Sequence, residues 1–341
     1  MIEKAMAAVL HRMREIKLEE VKLGGLDYDQ ALIKIKNCGI CSLDVGSFTG
    51  LRRVDEYPCI LGHEWVGEIV DIGKNSQGFN IGDRVAVNWR VICGNCYYCR
   101  KGIFNHCKNV RNDKVKGGFC EYGISVVNNL CLIPENVSYE EATFTEPLAC
   151  CINGIRKSNI SAGDDVVIIG CGPMGLLHVQ LAKHRGARII ACDLLDHRLK
   201  VASELGADDI INTSKEDAYK KVMELTNGIG ASSVIVAIGT PEAAQLGIQV
   251  SAINGTINLF VGNYPSGDIS LDLNVIHYKE LNLTGSCYFT PYDFSTALKL
   301  IQYNIVKVKP LISHVLPLSE ISSAFDIIAE RKGLKVIIEM S

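Results

Sequence analysis

The chain has 341 residues, 48% hydrophobic and 21% charged, with a formal net charge of −3. That length exceeds what one core usually supports, so two domains are expected. Without a block of like charge, neither nucleic acid nor an anionic membrane is an expected partner. The opening MIEKAMAAVLHRMREIKLEE lacks an apolar stretch of leader length, and no run approaches the roughly 20 apolar residues that span a bilayer. In chain order, the first 140 residues carry short, glycine-punctuated strands such as Trp65 to Ile72 and Arg84 to Val87, the pattern of an irregular, mostly β domain. From Val166 onward buried-type strands alternate with helical patterns. The strands run Val166 to Ile169, Arg188 to Cys192, Ile210-Ile211, Val234 to Ile238, Ile257 to Val261 and Leu281 to Thr284, with a polar helix over about Lys215 to Thr226. Such alternation predicts a doubly wound parallel sheet. A helix from Tyr292 to Tyr303 and a strand from Lys335 to Glu339 close the chain.

Cys93, Cys96, Cys99 and Cys107 form C-x2-C-x2-C-x7-C within VICGNCYYCRKGIFNHC. Four thiols in so short a loop match the spacing that wraps a tetrahedral Zn²⁺, and four thiolates close its coordination shell, so this site is read as structural. His106 is a possible substitute ligand, but the four thiols are already in register. An iron–sulfur cluster uses different spacings, and a thiol redox sensor is disfavoured because metal-bound thiolates are occupied. The chain holds 14 cysteines in all, several of them, such as Cys131, Cys171 and Cys192, in apolar strand-like settings. Unpaired buried cysteines suit a reducing compartment, so a cytoplasmic location is expected.

The segment DDVVIIGCGPMGLLHVQLAKHRGARIIACD contains, in order, a strand, Gly170-Cys171-Gly172-Pro173-Met174-Gly175, a helix, a second strand and Asp193. This is the context that gives G-x-G-x-x-G its meaning. Gly170 permits the tight turn, Gly172 lets the backbone approach a pyrophosphate, and Gly175 lets helix and strand pack closely. Pro173 and Met174 open a helix whose N-terminal N–H groups face the phosphates. A carboxylate at Asp193 accepts hydrogen bonds from the adenine ribose and repels a 2′-phosphate, which favours NAD(H); Arg198, five residues on, could still accommodate a phosphate.

Four motifs then stand in one order: Cys41 and Asp44 in GICSLD, His63 and Glu64 in LGHEWVGE, the cysteine lobe, and the dinucleotide segment, with Glu146 in TEPLACC just ahead of the last. This order resembles the zinc-dependent medium-chain dehydrogenases, in the branch of sorbitol, polyol and threonine dehydrogenases, over essentially the whole chain. The resemblance implies a GroES-like catalytic domain over 1–147 with its zinc lobe at about 90–110, a Rossmann NAD-binding domain over 148–287, and a C-terminal return to the catalytic domain over 288–341. It implies two Zn²⁺ per subunit. Cys41 and His63 match ligands of the catalytic zinc; Glu64 and Glu146 match positions that bind it directly or through water; Asp44 matches the carboxylate that orients the histidine. Such a metal makes a substrate hydroxyl more acidic, and the substrate carbon then passes hydride to a nicotinamide expected near Gly239, Val261 and Ser286. The Glu-Pro-Leu signature favours a polyol, sugar alcohol or sugar derivative, or its ketone. A homodimer or homotetramer paired through an edge strand is implied as well.

The chain also departs from the family. The hydroxyl residue expected two positions after the ligand cysteine is Leu43, and the relay histidine expected five after it is Gly46. Ser42 and Ser47 lie near but need not face the metal. Two routes for the substrate proton remain: Glu146 or Glu64 through water, or a neighbouring hydroxyl of the substrate itself. Alternatives to polyol oxidation are L-threonine 3-dehydrogenase-like amino-alcohol oxidation and a non-catalytic NAD-binding relative. Lys335 either reaches the cofactor pyrophosphate or stands solvated at the surface. Phe48, Trp89, Tyr288 and Phe289 are candidates to line the substrate pocket or to fill the core.

Overall fold

The structure is a computed structural model, and it describes residues 2–52, 54, 56–111, 116–263 and 267–340. It divides into two compact units, Met1–Pro147 with Thr290–Tyr303 and Leu311–Ser341, and Leu148–Phe289 with Asn304–Pro310. No helix among the described residues is long and apolar enough to cross a membrane.

The first unit is built on a mixed sheet ordered Ile312–Pro317, Lys335–Glu339, Gln30–Gly39, Glu64–Ile72, Arg84–Val87 and Leu130–Leu132, with Tyr122–Val126 also paired to Gln30–Gly39. A smaller sheet joins Glu15–Lys22, Lys4–Arg12 and Cys59–Ile60. Ile33, Ile35, Trp65, Ile69, Phe119 and Phe325 lie in one core cluster of this unit. The antiparallel register that sets Gly39 opposite Glu64, and Gly39 opposite Ile337, brings three distant pieces of chain to one end of the sheet. Phe48 proves to be core: it is 4% exposed and stacks on Phe325 with ring centroids 4.8 Å apart.

The second unit is a six-stranded parallel sheet ordered Asp209–Asn212, Arg188–Asp193, Asp165–Ile169, Ala231–Val236, Ser251–Leu259 and Asn282–Gly285. In chain order that is 3-2-1-4-5-6, the arrangement that places a ligand crevice at the carboxyl ends of the strands. Element ends shift from the sequence reading where local chemistry decides them. The helix expected over 215–226 spans Ala218–Leu225, because Asp217 caps it by accepting from the Lys220 N–H. Ser251–Leu259 starts earlier than expected, since Asn254 and Gly255 are accommodated by a register shift. Residues 304–310 group with this unit rather than with the C-terminal return. Gln180 holds that segment, accepting from the Lys307 N–H at 2.7 Å and donating to its carbonyl at 3.1 Å.

His178 sits on the helix Pro173–His184 that follows the glycine loop. It is 0% exposed, neither ring nitrogen has a hydrogen-bond partner among the described residues, and its ring meets Phe260 edge-on at 4.5 Å. Burial pushes its pKa down to about 3. Well above pH 6.5 the ring is neutral folded or unfolded and adds no pH dependence. Below that pH the unfolded chain takes up a proton that the folded one refuses, so stability falls by about 1.4 kcal/mol per pH unit until roughly pH 3. His178→Leu should remove about 2 kcal/mol of the stability lost between pH 7 and pH 5, read from urea midpoints at the two pH values. An unchanged pH dependence would place the acid sensitivity in other groups.

Candidate metal centres and dinucleotide site

Cys41 follows the strand Gln30–Gly39 and is the N-cap of the helix Ser42–Thr49. Asp44, at the third position of that helix, accepts from the Cys41 N–H at 2.9 Å and from the Gly62 N–H at 3.2 Å. One 4%-exposed carboxylate thus ties together the two loops that carry Cys41 and His63. Asp44 Oδ1 also lies 3.5 Å from His63 Nδ1, which leaves Nε2 as the ring nitrogen for a metal. Burial works against charge on His63, but Asp44 and Cys41 together outweigh it and hold its pKa well above the ordinary value.

The ligand atoms of Cys41, His63 and Glu64 all lie within 4.8 Å of one another. A thiol, an imidazole and a carboxylate at that separation fit a zinc ion with three protein ligands and one open position. Glu64 is 2% exposed, and its Oε2 is paired with the Lys335 ammonium, which also donates to the Ile40 carbonyl at 3.2 Å. The expectation of a solvated Lys335 is therefore corrected: the side chain is buried and its charge is engaged by Glu64. The pair exists because residue 39 is glycine. A Cβ there would overlap the Glu64 carboxylate and come within 2.9 Å of Lys335 Cε.

Glu146 stands outside the 4.8 Å group. It lies in the first turn of the helix Thr145–Lys157, is 6% exposed, and its Oε1 accepts from the Trp89 indole N–H at 3.1 Å. Burial pushes its pKa up, and the Glu64 charge adds to this against the opposing pull of His63 and Lys335. Trp89 is thus a site residue: its ring is tilted against His63 at 5.6 Å. Neither partnership was readable from sequence, because Trp89–Glu146 and Lys335–Glu64 join residues far apart in the chain. Ser47 offers no relay, since its hydroxyl donates to the Leu43 carbonyl within its own helix at 3.1 Å.

The four lobe cysteines also form one group. The sulfur separations are 3.6 Å for Cys96 to Cys99, 4.0 Å for Cys96 to Cys107 and 3.5 Å for Cys107 to Cys93. A tetrahedron of sulfurs about 2.3 Å from zinc has edges of about 3.8 Å, so the donors fit that metal. His106 is not in the group and packs toward Tyr98 instead. Backbone N–H groups of Cys99 and Lys108 pull the Cys96 thiol down to about 6, whereas burial pushes Cys99 up to about 12.

In the second unit Gly170 adopts φ +95°, a turn only glycine makes cheaply. Gly172 caps the helix, Pro173 is its first residue with Met174 behind it, and a Cβ at Gly175 would overlap the Gly170 carbonyl. Asp193 closes the second strand of this unit. Its oxygens accept from the Cys171 N–H at 2.7 Å and the Leu195 N–H at 3.0 Å, which fixes the carboxylate beside the loop. Arg198 Nη1 lies 3.8 Å from where a Gly172 Cβ would be. Gly239 packs so closely on Gly262 that a Cβ would overlap its carbonyl, with half-buried Val261 next to it. Ser286 follows the last strand and donates to Asn258 at 3.1 Å. Phe289 is core at 2% exposure, and Tyr288 is half-buried with φ +56°.

Residues 27–135 match the alcohol dehydrogenase GroES-like domain, and residues 173–303 match the zinc-binding dehydrogenase domain. The chain is 37% identical to a sorbitol dehydrogenase of Halalkalibacterium halodurans, covering 91% of each. It is 34% identical to a D-arabitol-phosphate dehydrogenase of Enterococcus avium, over 91% of this chain and 90% of that protein. It is 33% identical to an L-threonine 3-dehydrogenase of Pyrococcus horikoshii, over 90% of each. Among solved structures, a Sinorhizobium meliloti 1021 protein with bound NADP superposes with a TM-score of 0.91 at 28% identity, over 98% of this chain and 99% of that one. The alcohol dehydrogenase RspB of Escherichia coli CFT073, solved with NADH, gives 0.90 at 26%, over 99% of each. The chain belongs to the zinc-dependent medium-chain dehydrogenases, in the polyol and threonine dehydrogenase branch, and is an oxidoreductase of zinc and nicotinamide chemistry.

Gly39→Ala should cost about 1–3 kcal/mol of stability by chemical denaturation, because the Glu64–Lys335 pair has to move to admit the methyl group. Wild-type stability in that variant would mean that the pair does not fill the space beside residue 39.

Proposed function

We propose that the protein oxidises the secondary alcohol of a polyol, sugar alcohol or related sugar derivative with NAD⁺, and reduces the corresponding ketone in the reverse direction. The observation that carries this reading is the Cys41, His63 and Glu64 group with Glu146 close by, a donor set that leaves a coordination position for substrate. The sorbitol and arabitol-phosphate dehydrogenases among its relatives support the substrate class. The threonine dehydrogenases keep amino-alcohol oxidation as the second reading. Zinc held by Cys41, His63 and Glu64 would supply a Lewis acid that makes a substrate hydroxyl more acidic. A second zinc would be held by Cys93, Cys96, Cys99 and Cys107 as a structural ion, giving two per chain.

The chain's own residues do the rest. Asp44 fixes the tautomer of His63. Glu146, buried and with its pKa raised, takes the substrate proton through water, since Leu43 and Gly46 leave the usual relay positions without a proton carrier. Asp193 binds the adenine ribose and disfavours a 2′-phosphate, so NAD(H) is preferred over NADP(H). We place the enzyme in the cytoplasm as a homodimer or homotetramer with a small-molecule partner only.

Metal analysis of purified protein should give two zinc ions per chain, and NADH absorbance should rise with one class among polyols, sugar phosphates and threonine. Two zincs with NADH binding but no turnover on any alcohol would point to a non-catalytic relative. Glu146→Gln should lower kcat by about 10²-fold or more while leaving NADH affinity unchanged. Near-normal activity across pH in both Glu146→Gln and Glu64→Gln would eliminate a glutamate as the general base.

A further inference from the structure

Position 258 is the penultimate residue of the parallel strand Ser251–Leu259, in register with Ile235 on one side and Thr284 on the other. Strands of this kind read as apolar runs, and Ile168 and Ile235 occupy the equivalent positions in the neighbouring strands. Residue 258 is nevertheless asparagine, 0% exposed. A buried amide is tolerated only when its polar atoms are matched, and here they are. Asn258 Nδ2 donates to the Gly154 carbonyl at 2.9 Å and to Ser158 Oγ at 3.0 Å, while Oδ1 accepts from Ser286 Oγ at 3.1 Å.

A second buried amide, Asn153, is 3% exposed and reaches the same segment. Its Nδ2 donates to the Cys287 carbonyl at 3.2 Å and the Tyr288 carbonyl at 2.9 Å. Lys157 donates to the Gly285 carbonyl at 3.1 Å. Residues 285, 287 and 288 are therefore held from one helix, Thr145–Lys157, and residue 286 from the neighbouring strand through Asn258. The need for such support is plain: Tyr288 lies at φ +56°, a conformation costly for a non-glycine residue. Gly154 lets the parts meet, since a Cβ there would come within 2.8 Å of His178 and 2.9 Å of Phe260.

A doubly wound sheet binds a dinucleotide with one half of its strands per mononucleotide, at their carboxyl ends. The glycine loop and Asp193 belong to the first three strands, so the nicotinamide half falls to the other three. The segment that leaves the last of these is 286–288. We propose that Asn258 and Asn153 are positioning residues for the nicotinamide half of the cofactor site, holding Gly285 to Tyr288 in the conformation that receives the ring. The adenosine half does not depend on them. This inference rests on the cofactor reading above.

ADP-ribose separates the two halves, because it carries everything in the cofactor except the nicotinamide ring. Zinc-loaded wild type, Asn258→Leu and Asn153→Ala would each be titrated with NADH and with ADP-ribose. Asn258→Leu keeps the branched shape of the side chain in an isoleucine-lined row, and Asn153→Ala removes side-chain volume instead, so one variant checks the other. In both, the Kd for NADH should rise about tenfold, the worth of one well-placed hydrogen bond, while the Kd for ADP-ribose stays within about twofold. A parallel loss of both ligands would show a merely structural role and overturn the inference, as would unchanged NADH affinity. Wild type that binds the two probes equally well would refute it while leaving the cofactor reading intact. Wild type that binds neither would remove both.

Discussion

A carboxylate buried at Asp44 is the constraint on which the candidate metal centre depends. Two of its candidate ligands, Cys41 and His63, stand on loops just beyond the paired ends of Gln30–Gly39 and Glu64–Ile72, and the ladder alone does not tie the two loops to each other. Asp44 does so by accepting from the backbone of both loops, at Cys41 and at Gly62, while facing the ring of His63. Two main-chain N–H groups on an anion are worth more than the same bonds to a neutral acceptor, and after His63 they help to hold its pKa low despite burial. The same group therefore fixes ligand position, selects the tautomer of the imidazole and contributes negative charge beside a cation site.

Charge balance explains the remaining members. Cys41 as thiolate, Glu64, Asp44 and Glu146 would crowd several negative charges into one buried place if unopposed. Lys335 answers the one nearest to it, Glu64, and its ammonium is itself almost completely enclosed. Breaking such a pair by removing one partner costs about 3–5 kcal/mol, since the survivor is left charged and unsolvated. The glycine at position 39 is thus tied to electrostatics as much as to sterics: it is the gap through which a lysine from the C-terminal strand reaches a glutamate on the opposite neighbour of Gln30–Gly39. Burial and the Glu64 charge leave the pKa of Glu146 raised against the pull of His63, the Trp89 indole N–H and Lys335, and with it the capacity to exchange a proton.

What could be read from sequence follows the range of the interactions involved. The cysteine lobe and the glycine loop are contiguous, and each depends on spacing within one turn or loop, so their geometry follows from residue order alone. Strands buried on both faces, such as Val166 to Ile169, announce themselves by uninterrupted β-branched residues, and the strand Arg84–Val87 was legible to its last residue. The burial of Lys335 is not legible locally, because its neighbours in sequence describe only a strand, while its partner Glu64 comes from a distant part of the chain. Trp89 was noticed as an aromatic near a strand end, but nothing local shows that its N–H would meet Glu146. The helix start at Ala218 moved because a single capping carboxylate outweighed propensity over the preceding turn.

The same distinction separates the two halves of the dinucleotide site. The first half is made of backbone: a helix N-terminus, a left-handed glycine and a carboxylate hydrogen-bonded to the loop it faces. Backbone chemistry forces residue types at fixed spacing, which is why Gly170, Gly172, Gly175 and Asp193 form a recognisable motif. In the second half the segment leaving the last strand is tied down by side chains from elsewhere. Asn153 and Asn258 do this from a helix and a neighbouring strand, and because amides can reach a carbonyl from many directions, no spacing rule results. In a strand, however, the cost of burying an amide is itself a signal. An asparagine flanked by Ile257 and Leu259, in a row of isoleucines, is retained only if its hydrogen bonds hold something in place, and here that something is the segment beyond Gly285.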